Sequence, residues 1–224
     1  MKVSVVIPAY NEEDFIGNCL NSLKKQSEPP DEIIVVNNNS TDKTNSIAAS
    51  YNVRIIHKNK PGMIPARNAG YDEAKYDIIA RTDADSILPP DWVKKIKLDF
   101  EQADIDGLSG PIVFYDLPMK TTLWANLFLD FMRFAQKGGN TLIGPNMAFT
   151  KKVWKKIRTS VCMDGSAVHE DVDIGMHILT AQGKINIDKT LIVQASGRRI
   201  INHPGSFFIE YPLRLIRSMK NHPL

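Results

Sequence analysis

Asp83 and Asp85 stand two residues apart at the end of a short apolar run, Asp77–Arg81, and Pro89-Pro90 follows them. At a strand end both side chains can project to one side. Two carboxylates so placed repel each other unless a cation joins them. A small set of hard oxygen ligands suits Mg2+ or Mn2+, ions that keep waters and complete their shell with phosphates. The same pair also fits turn or helix-capping aspartates, and D-x-D alone decides neither. Asn37-Asn38-Asn39 offers paired donors and acceptors for a base edge, and Tyr10 offers a ring on which a base stacks. Glu170, Asp171 and Asp173 open an expected helix, where acidic residues ordinarily complement the helix dipole. Arg198 and Arg199 precede Asn202-His203-Pro204-Gly205, a stretch that either faces phosphates or carries surface charge. His203 before Pro-Gly reads as a turn residue rather than a metal ligand.

These residues need elements to carry them. Val3–Ile7 is a β-rich run that stops at Pro8, too short for a signal peptide. Asn11-Glu12-Glu13-Asp14 supplies an N-cap and an acidic first turn, and Phe15, Ile16, Cys19, Leu20 and Leu23 follow at helical spacing, which places Cys19 in the core. Further strands are expected at Glu32–Val36, Val53–His57 and Asp77–Arg81. Helices are expected from about Thr41 to Ser50, over Pro65–Lys75 and over Pro90–Gln102. Four strands alternating with helices imply a parallel sheet covered on both faces. Ligands of such sheets sit beyond the carboxyl ends of the strands, which is where Tyr10, the asparagines and the aspartates fall. Past residue 105 the rhythm loosens. Gly107–Phe114, Asn146–Thr150 and Ile185–Val193 read as strands, Met119–Gln136 and Glu170–Gln182 as helices. No linker separates the halves, so the second half is expected to complete the same sheet.

The chain has 224 residues, 43% hydrophobic and 24% charged, ordinary for one large globular domain. Two cysteines, Cys19 and Cys162, exclude a disulfide scaffold and a four-cysteine zinc site and fit a reducing compartment. The net charge of +3 is uneven. Residues 198–224 hold five basic residues against Glu210 alone, a net of +4, interleaved with apolar ones. That tail suits an anionic membrane surface, an acidic partner, or a helix packed on the domain with a solvated basic face. The near-neutral body argues against nucleic acid. G-x-G-x-x-G and G-x-x-x-x-G-K-[ST] are both absent, against a dinucleotide dehydrogenase and a P-loop enzyme.

In their order and spacing, VSVVIPAYNEE (Val3–Glu13), DEIIVVNNNSTDKT (Asp31–Thr44), GMIPARNAG (Gly62–Gly70), ARTDADS (Ala80–Ser86), GPNMAFT (Gly144–Thr150) and HEDVDIG (His169–Gly175) resemble the motifs of family 2 glycosyltransferases with the GT-A fold. The resemblance covers roughly residues 1–197. It implies a nucleotide-binding half over 1–105 and an acceptor half over 106–197, and leaves the basic amphipathic tail over 198–224 outside it. It further implies a nucleoside-diphosphate sugar as donor, linked to uridine or guanosine, and a Mn2+ or Mg2+ ion at Asp85 and Asp83. The acceptor would be a hydroxyl of a glycan or a lipid-linked molecule. Carried over residue by residue, Pro8, Ala9 and Tyr10 lie around the base, with Glu12 in the donor site. Asn38 takes the place of an aspartate that bonds the base. Arg67 lies near base and phosphates, and Asp83 reaches ribose or metal. Arg198 and Arg199 fall past the end of the resemblance; their place before the Asn-His-Pro-Gly stretch is what suggests a phosphate-facing loop. Asp171 is the base that takes the acceptor proton, with Glu170 beside it and Asn146 on the acceptor side, while Asp173 is structural. The carboxylate-free Asn37-Asn38-Asn39 departs from the family pattern. An amide still pairs with a uracil ring, but guanosine is less excluded than usual.

The reading is a cytoplasmic, metal-dependent, inverting glycosyltransferase, with its tail at the inner membrane face. The alternative is a non-catalytic nucleotide-sugar-binding or scaffold protein of the same fold. Nucleotidyl transfer is disfavoured, because Pro8–Glu13 is nothing like a glycine- and lysine-rich loop. Met119–Ala135, unusually apolar, is either core or the lining of a groove.

Overall fold

The computed structural model describes residues 1–58, 62–118, 121–136, 139–165, 168–203, 205 and 210–221. Strand β1 (Val3–Ala9) is its spine. It pairs in parallel with β2 (Glu32–Asn37) on one side and β4 (Ile78–Arg81) on the other, and β3 (Arg54–His57) continues the sheet beyond β2. Alternate residues of β1 serve opposite faces, as a strand requires. Val3, Val5 and Ile7 pack with Cys19, Leu20 and Leu23 of α1 (Ile16–Lys24) and with Trp92, Val93 and Ile96 of α4 (Trp92–Gln102). Val6 packs the other way, with Ala66 and Tyr71 of α3 (Met63–Glu73). That helix lies so close to the sheet that a Cβ on Gly70 would stand 2.4 Å from Val6 Cγ1 and 2.8 Å from Val36 Cγ2.

The second half completes the same sheet, but not in parallel throughout. Strand β7 (Met147–Thr150) inserts antiparallel between β4 and β5 (Gly107–Ser109), and β8 (Ile185–Ile187) pairs in parallel with β5. The resulting order is β3-β2-β1-β4-β7-β5-β8. The expected strand Gly107–Phe114 is broken at Gly110-Pro111, where a Cβ on Gly110 would meet the Leu191 carbonyl at 2.2 Å. Beyond the break, β6 (Ile112–Phe114) leaves the main sheet and pairs with β9 (Val193–Ala195). Helix α6 (Lys151–Ile157) is capped by Thr150, whose hydroxyl accepts from the Val153 N–H, and its Trp154 meets Tyr71 edge to face at 5.1 Å.

Helix α1 and the helix after it start later than expected, each because a loop residue is used otherwise. Helix α1 begins at Ile16, because Asn11 is used elsewhere: it sits at φ 52° and its side-chain oxygen accepts from the Thr41 N–H at 2.9 Å, tying two strand-end loops together. Helix α2 is shortened to Thr44–Ala49, since the Asp42 carboxylate accepts from the Thr44 N–H at 2.9 Å and ends the loop there. Helix α5 runs over Thr122–Ala135 and α7 over Glu170–Thr180. After them come α8 (Arg198–Asn202) and α9 (Tyr211–Asn221). Met119 and Lys120 of the apolar segment, and Pro204 and Phe207–Ile209 of the tail, lie outside the described residues. Among the described residues no helix is long and apolar enough to cross a membrane.

Candidate active site

The carboxyl ends of β1, β2 and β4 open on one side of the sheet, and the loops beyond them carry most of the residues singled out by sequence. Beyond β1, Pro8 is half-buried, Ala9 is buried and Tyr10 is 55% exposed, its ring free to take a stacking partner. Asn37 is buried and internal in purpose, its oxygen accepting from the Ser40 N–H at 3.0 Å. Asn38 is half-buried; its backbone N–H donates to the Ala9 carbonyl at 2.9 Å and its side-chain oxygen accepts from the Gly62 N–H at 3.3 Å.

Glu12, Asp83 and Asp85 crowd together at the ends of β1 and β4. Arg198 reaches them from α8, its Nη2 2.6 Å from Glu12 Oε2 and 3.4 Å from Asp85 Oδ2, with the guanidinium 4.3 Å from the Phe15 ring centroid. Arg198 is aimed by Asp116, which accepts from the Ser196 hydroxyl and the Gly197 N–H, both at 2.6 Å. The loop after Asp85 is clamped to β9 by two backbone hydrogen bonds between Ile87 and Gln194. Arg198 serves both Glu12 and Asp85, and Asp83, paired from behind by Arg81, adds its negative charge beside them. Burial, then the neighbouring Asp83, push the Asp85 carboxyl up to about 7, with Glu12 adding to the effect and Arg198 opposing it. Glu12 is raised as well, by burial that Arg198 only partly offsets. Among the described residues no group of three or more metal-ligating side chains already converges as a complete site. A site of two carboxylates that leaves positions for phosphate and water has no need of one.

A second charge cluster lies behind the first. Arg81, 1% exposed at the end of β4, donates through Nη2 to Asp83 Oδ1 at 2.7 Å and through Nη1 to Glu170 Oε1 at 3.0 Å. Arg67 is ion-paired to the same Glu170. Burial works against the Asp83 carboxylate, but Arg81 and Arg67 overcome it and hold its pKa low. The same two arginines bring Glu170 down to about 2 against the penalty of burial. Asp171 points elsewhere, as successive helix residues must. Its Oδ2 accepts from the Gly144 N–H at 2.8 Å and its Oδ1 from the Val172 N–H at 2.9 Å. Burial, and after it the charge of Glu170, raise the Asp171 carboxyl. Asp173 accepts from the Cys162 N–H at 2.9 Å, in the structural place expected of it.

Two expected site residues differ from their expected places. Arg67, expected near the phosphates, is 6% exposed and spends its charge on Glu170. Asn146, expected on the acceptor side, is wholly internal: its amide donates to the Pro111 and Leu191 carbonyls at 3.1 and 2.6 Å and its oxygen accepts from Trp92 Nε1 at 2.9 Å. It braces three segments instead of facing a ligand. Arg199 is exposed on α8, while its neighbour Arg198 alone bonds the carboxylates. His203 is exposed just after α8. Arg81 went unnoticed as a functional residue. Its signal was a charge closing a strand, Ile78-Ile79-Ala80-Arg81, that is otherwise apolar, since a buried charge must be paired.

The model of the glycosyl transferase family 2 matches residues 4–166. The uncharacterized glycosyltransferase EpsJ of Bacillus subtilis is 33% identical over 109 residues, which are 46% of this chain and 32% of that protein. Among solved structures, S. aureus TarS in complex with UDP-GlcNAc superposes with a TM-score of 0.71 at 21% identity, covering 88% of this chain and 59% of TarS. The mannosyltransferase PcManGT of Pyrobaculum calidifontis, in complex with GDP-Man and Mn2+, superposes with a TM-score of 0.77 at 19% identity, covering 98% of this chain and 63% of the other. The chain thus spans about a third of the length of EpsJ and under two thirds of either structure. With the strand-end acidic motif, the mixed sheet and the family match in agreement, this chain belongs to the glycosyl transferase family 2 and has the GT-A fold, as a single α/β domain.

Proposed function

We propose that this chain transfers a glycosyl group from a nucleoside-diphosphate sugar to an acceptor hydroxyl, with a divalent cation and with inversion at the anomeric carbon. The observation that carries the reading is the crowding of Glu12, Asp83 and Asp85 at the ends of β1 and β4, where the Asp85 carboxyl stays raised although Arg198 pairs with Glu12 and Asp85 and Arg81 with Asp83. A cation relieves that crowding. Its donors are few and hard, which fits Mn2+ or Mg2+. Asp85 would hold the ion, with Asp83 beside it. When bound, the ion supplies neutralisation of the diphosphate charge as that group leaves. TarS with UDP-GlcNAc and PcManGT with GDP-Man and Mn2+ support the donor class and leave both nucleotides open.

The chain's own residues do the rest. Tyr10 stacks on the base, Pro8 and Ala9 flank it, and Asn38 bonds its edge. Arg198, released from Glu12 and Asp85, turns to the phosphates, and Arg199 stands beside it. Asp171 takes the proton of the acceptor hydroxyl. The oxygen then attacks the anomeric carbon, and the electron pair of the breaking C–O bond stays on the diphosphate. The raised carboxyl makes ionised Asp171 a stronger base than an ordinary aspartate. Glu170 shares none of this: held ionised by Arg67 and Arg81, it fixes the start of α7. Residues 1–105 thus supply the donor half and 106–197 the acceptor half, the acceptor being a glycan or a lipid-linked molecule. Both cysteines are unpaired, which supports a reducing cytoplasm.

The test is a thermal-shift screen of UDP- and GDP-sugars with and without Mn2+, followed by NMR of the product's anomeric configuration. Donor and Mn2+ should stabilise the fold together. Binding without transfer to any acceptor would favour the scaffold reading, and a retained configuration would remove Asp171 as the base.

A further inference from the structure

Helix α5 is built the wrong way round for a helix of an isolated soluble domain. Leu129 and Met132 face inward and are buried. The opposite stripe carries Leu123, Trp124, Leu127, Phe128, Phe131 and Phe134, all 40% exposed or more, with Phe134 at 84%. These six residues recur at the three- and four-residue spacing of one helical face. Together they present on the order of 600 Å² of apolar surface, the upper end of what a monomer exposes in one patch. The sequence leaves this segment open between core and groove; in the structure one face, Leu129 and Met132, is core and the other is exposed.

Helix α9 adds to the same side of the molecule. Its Leu215 packs on a small cluster made by Met132 of α5 with Val172 and Met176 of α7, so α5 and α9 both lie against α7. The Ser218 hydroxyl accepts from the His169 N–H at 3.1 Å, which pins α9 at the residue before Glu170 and Asp171. Its other face turns Leu213 and Ile216 to solvent, 48% and 50% exposed, with Arg217 exposed between their turns. Arg133 is exposed on the flank of α5, and Asp130, exposed between it and the stripe, is neutralised by its ion pair with Lys189. Charge therefore decides among occupants. A second copy would bring the same arginines and the same tail, net +4, against this chain. An anionic lipid surface brings the opposite charge and an apolar interior for the aromatic stripe.

We propose that the outward faces of α5 and α9 dock the protein on an anionic lipid bilayer, with the aromatic stripe at the acyl boundary and Arg133 and Arg217 at the lipid phosphates. The docking stands on these two helices alone and holds whether or not the chain transfers sugar. If it does transfer sugar, the start of α7 and Asp171 lie next to the membrane-facing side.

The experiment is flotation of the full chain with vesicles of phosphatidylcholine alone and of phosphatidylcholine with 30% phosphatidylglycerol. Three proteins are compared: the unaltered chain, Trp124→Ser/Phe131→Ser/Phe134→Ser, and Arg133→Glu/Arg217→Glu. The unaltered chain should float with the anionic vesicles, and about tenfold less with neutral ones or at high salt. Each variant should lose about tenfold or more of its partitioning. The substituted side chains are solvent-facing, so the melting temperatures, and the shift produced by Mn2+ with nucleoside diphosphate, should stay as in the unaltered chain. If the serine variant melts early, the arginine pair alone decides. Failure of the unaltered chain to float overturns the proposal, as does equal flotation of the arginine variant. So does a dimer, seen by light scattering without lipid, that the serine variant dissolves; that result would give the face to a second copy. Loss of the nucleotide-induced shift in the unaltered chain would count against glycosyl transfer and leave the docking untouched.

Discussion

Replacing Asp85 with asparagine should make the metal-free protein more stable, by an amount that opens as pH rises above about 4 and is complete above about 7. Asp85 is held among Asp83 and Glu12 with a side chain 16% exposed, and its carboxyl is pushed from 3.8 up to about 7. The native state then binds a proton more tightly than the unfolded chain does. Stability at this group is undiminished below pH 4, falls as pH rises from about 4 to about 7, and stays low above that. A shift of this size corresponds to about 4 kcal/mol of penalty once the group is ionised. Arg198 would lose one anionic contact in the variant but keep Glu12, so a net gain of about 2–4 kcal/mol is expected at pH 8. For a chain of this length that is roughly 5–10 °C in melting temperature. The assay is thermal or urea unfolding of both proteins in chelator, at pH 4 and at pH 8. The gap should be open at pH 8 and closed at pH 4. Adding Mn2+ with nucleoside diphosphate should raise the melting temperature of the unaltered protein and leave the variant where it was. Equal stability at pH 8, or a gap that persists at pH 4, would refute the carboxylate crowding on which the metal assignment rests.

Asp171→Asn should keep donor binding and lose about 10²–10⁴ in turnover, read by single-turnover transfer at saturating donor. Because both carboxylate oxygens accept backbone N–H bonds, from Gly144 and Val172, the amide must also turn a donor toward one of them, and unfolding should register a cost of about 1–3 kcal/mol. Glu170→Gln should destabilise by about 3 kcal/mol at pH 7, since the native carboxyl lies at about 2 against an ordinary 4.5. That stability is present above pH 4.5 and lost as pH falls toward 2, so the two proteins should converge in acid unfolding. Gly70→Ala should cost about 1–3 kcal/mol in urea unfolding, because the new methyl enters the space of Val6 and Val36.

The nucleotide-binding half was legible because its signals are local. The alternation of apolar runs and helical stripes up to Gln102 fixes four parallel strands, and each polar cluster then falls at a strand's carboxyl end without further information. The antiparallel insertion of β7 was not legible. Met147–Thr150 is too short and too uniformly apolar to disclose its direction, which is set by which strand edges remain open. Asn146 was misjudged for a related reason: a polar side chain next to a ligand-facing motif looks the same in sequence whether it meets a ligand or satisfies two buried carbonyls. Arg67 and Arg81 show the limit from the other side. Their type announces an anion, but only the structure reveals that they share Glu170 and that Arg81 also holds Asp83.

The place of β7 in the sheet also bears on how the chain is made. As the polypeptide emerges, β1 to β4 can assemble into a parallel block, with α1 and α3 already at hand to cover its two faces. The far edge of β4 must then wait for Met147–Thr150, and β5 has no neighbour in the main sheet until the same strand arrives to join them. Until then one edge of a buried, apolar sheet lies bare, a surface that invites pairing with another nascent chain. Shortage of chaperone, or a slowed step anywhere between residues 82 and 147, would be felt there first, as aggregation of a half that had otherwise folded correctly.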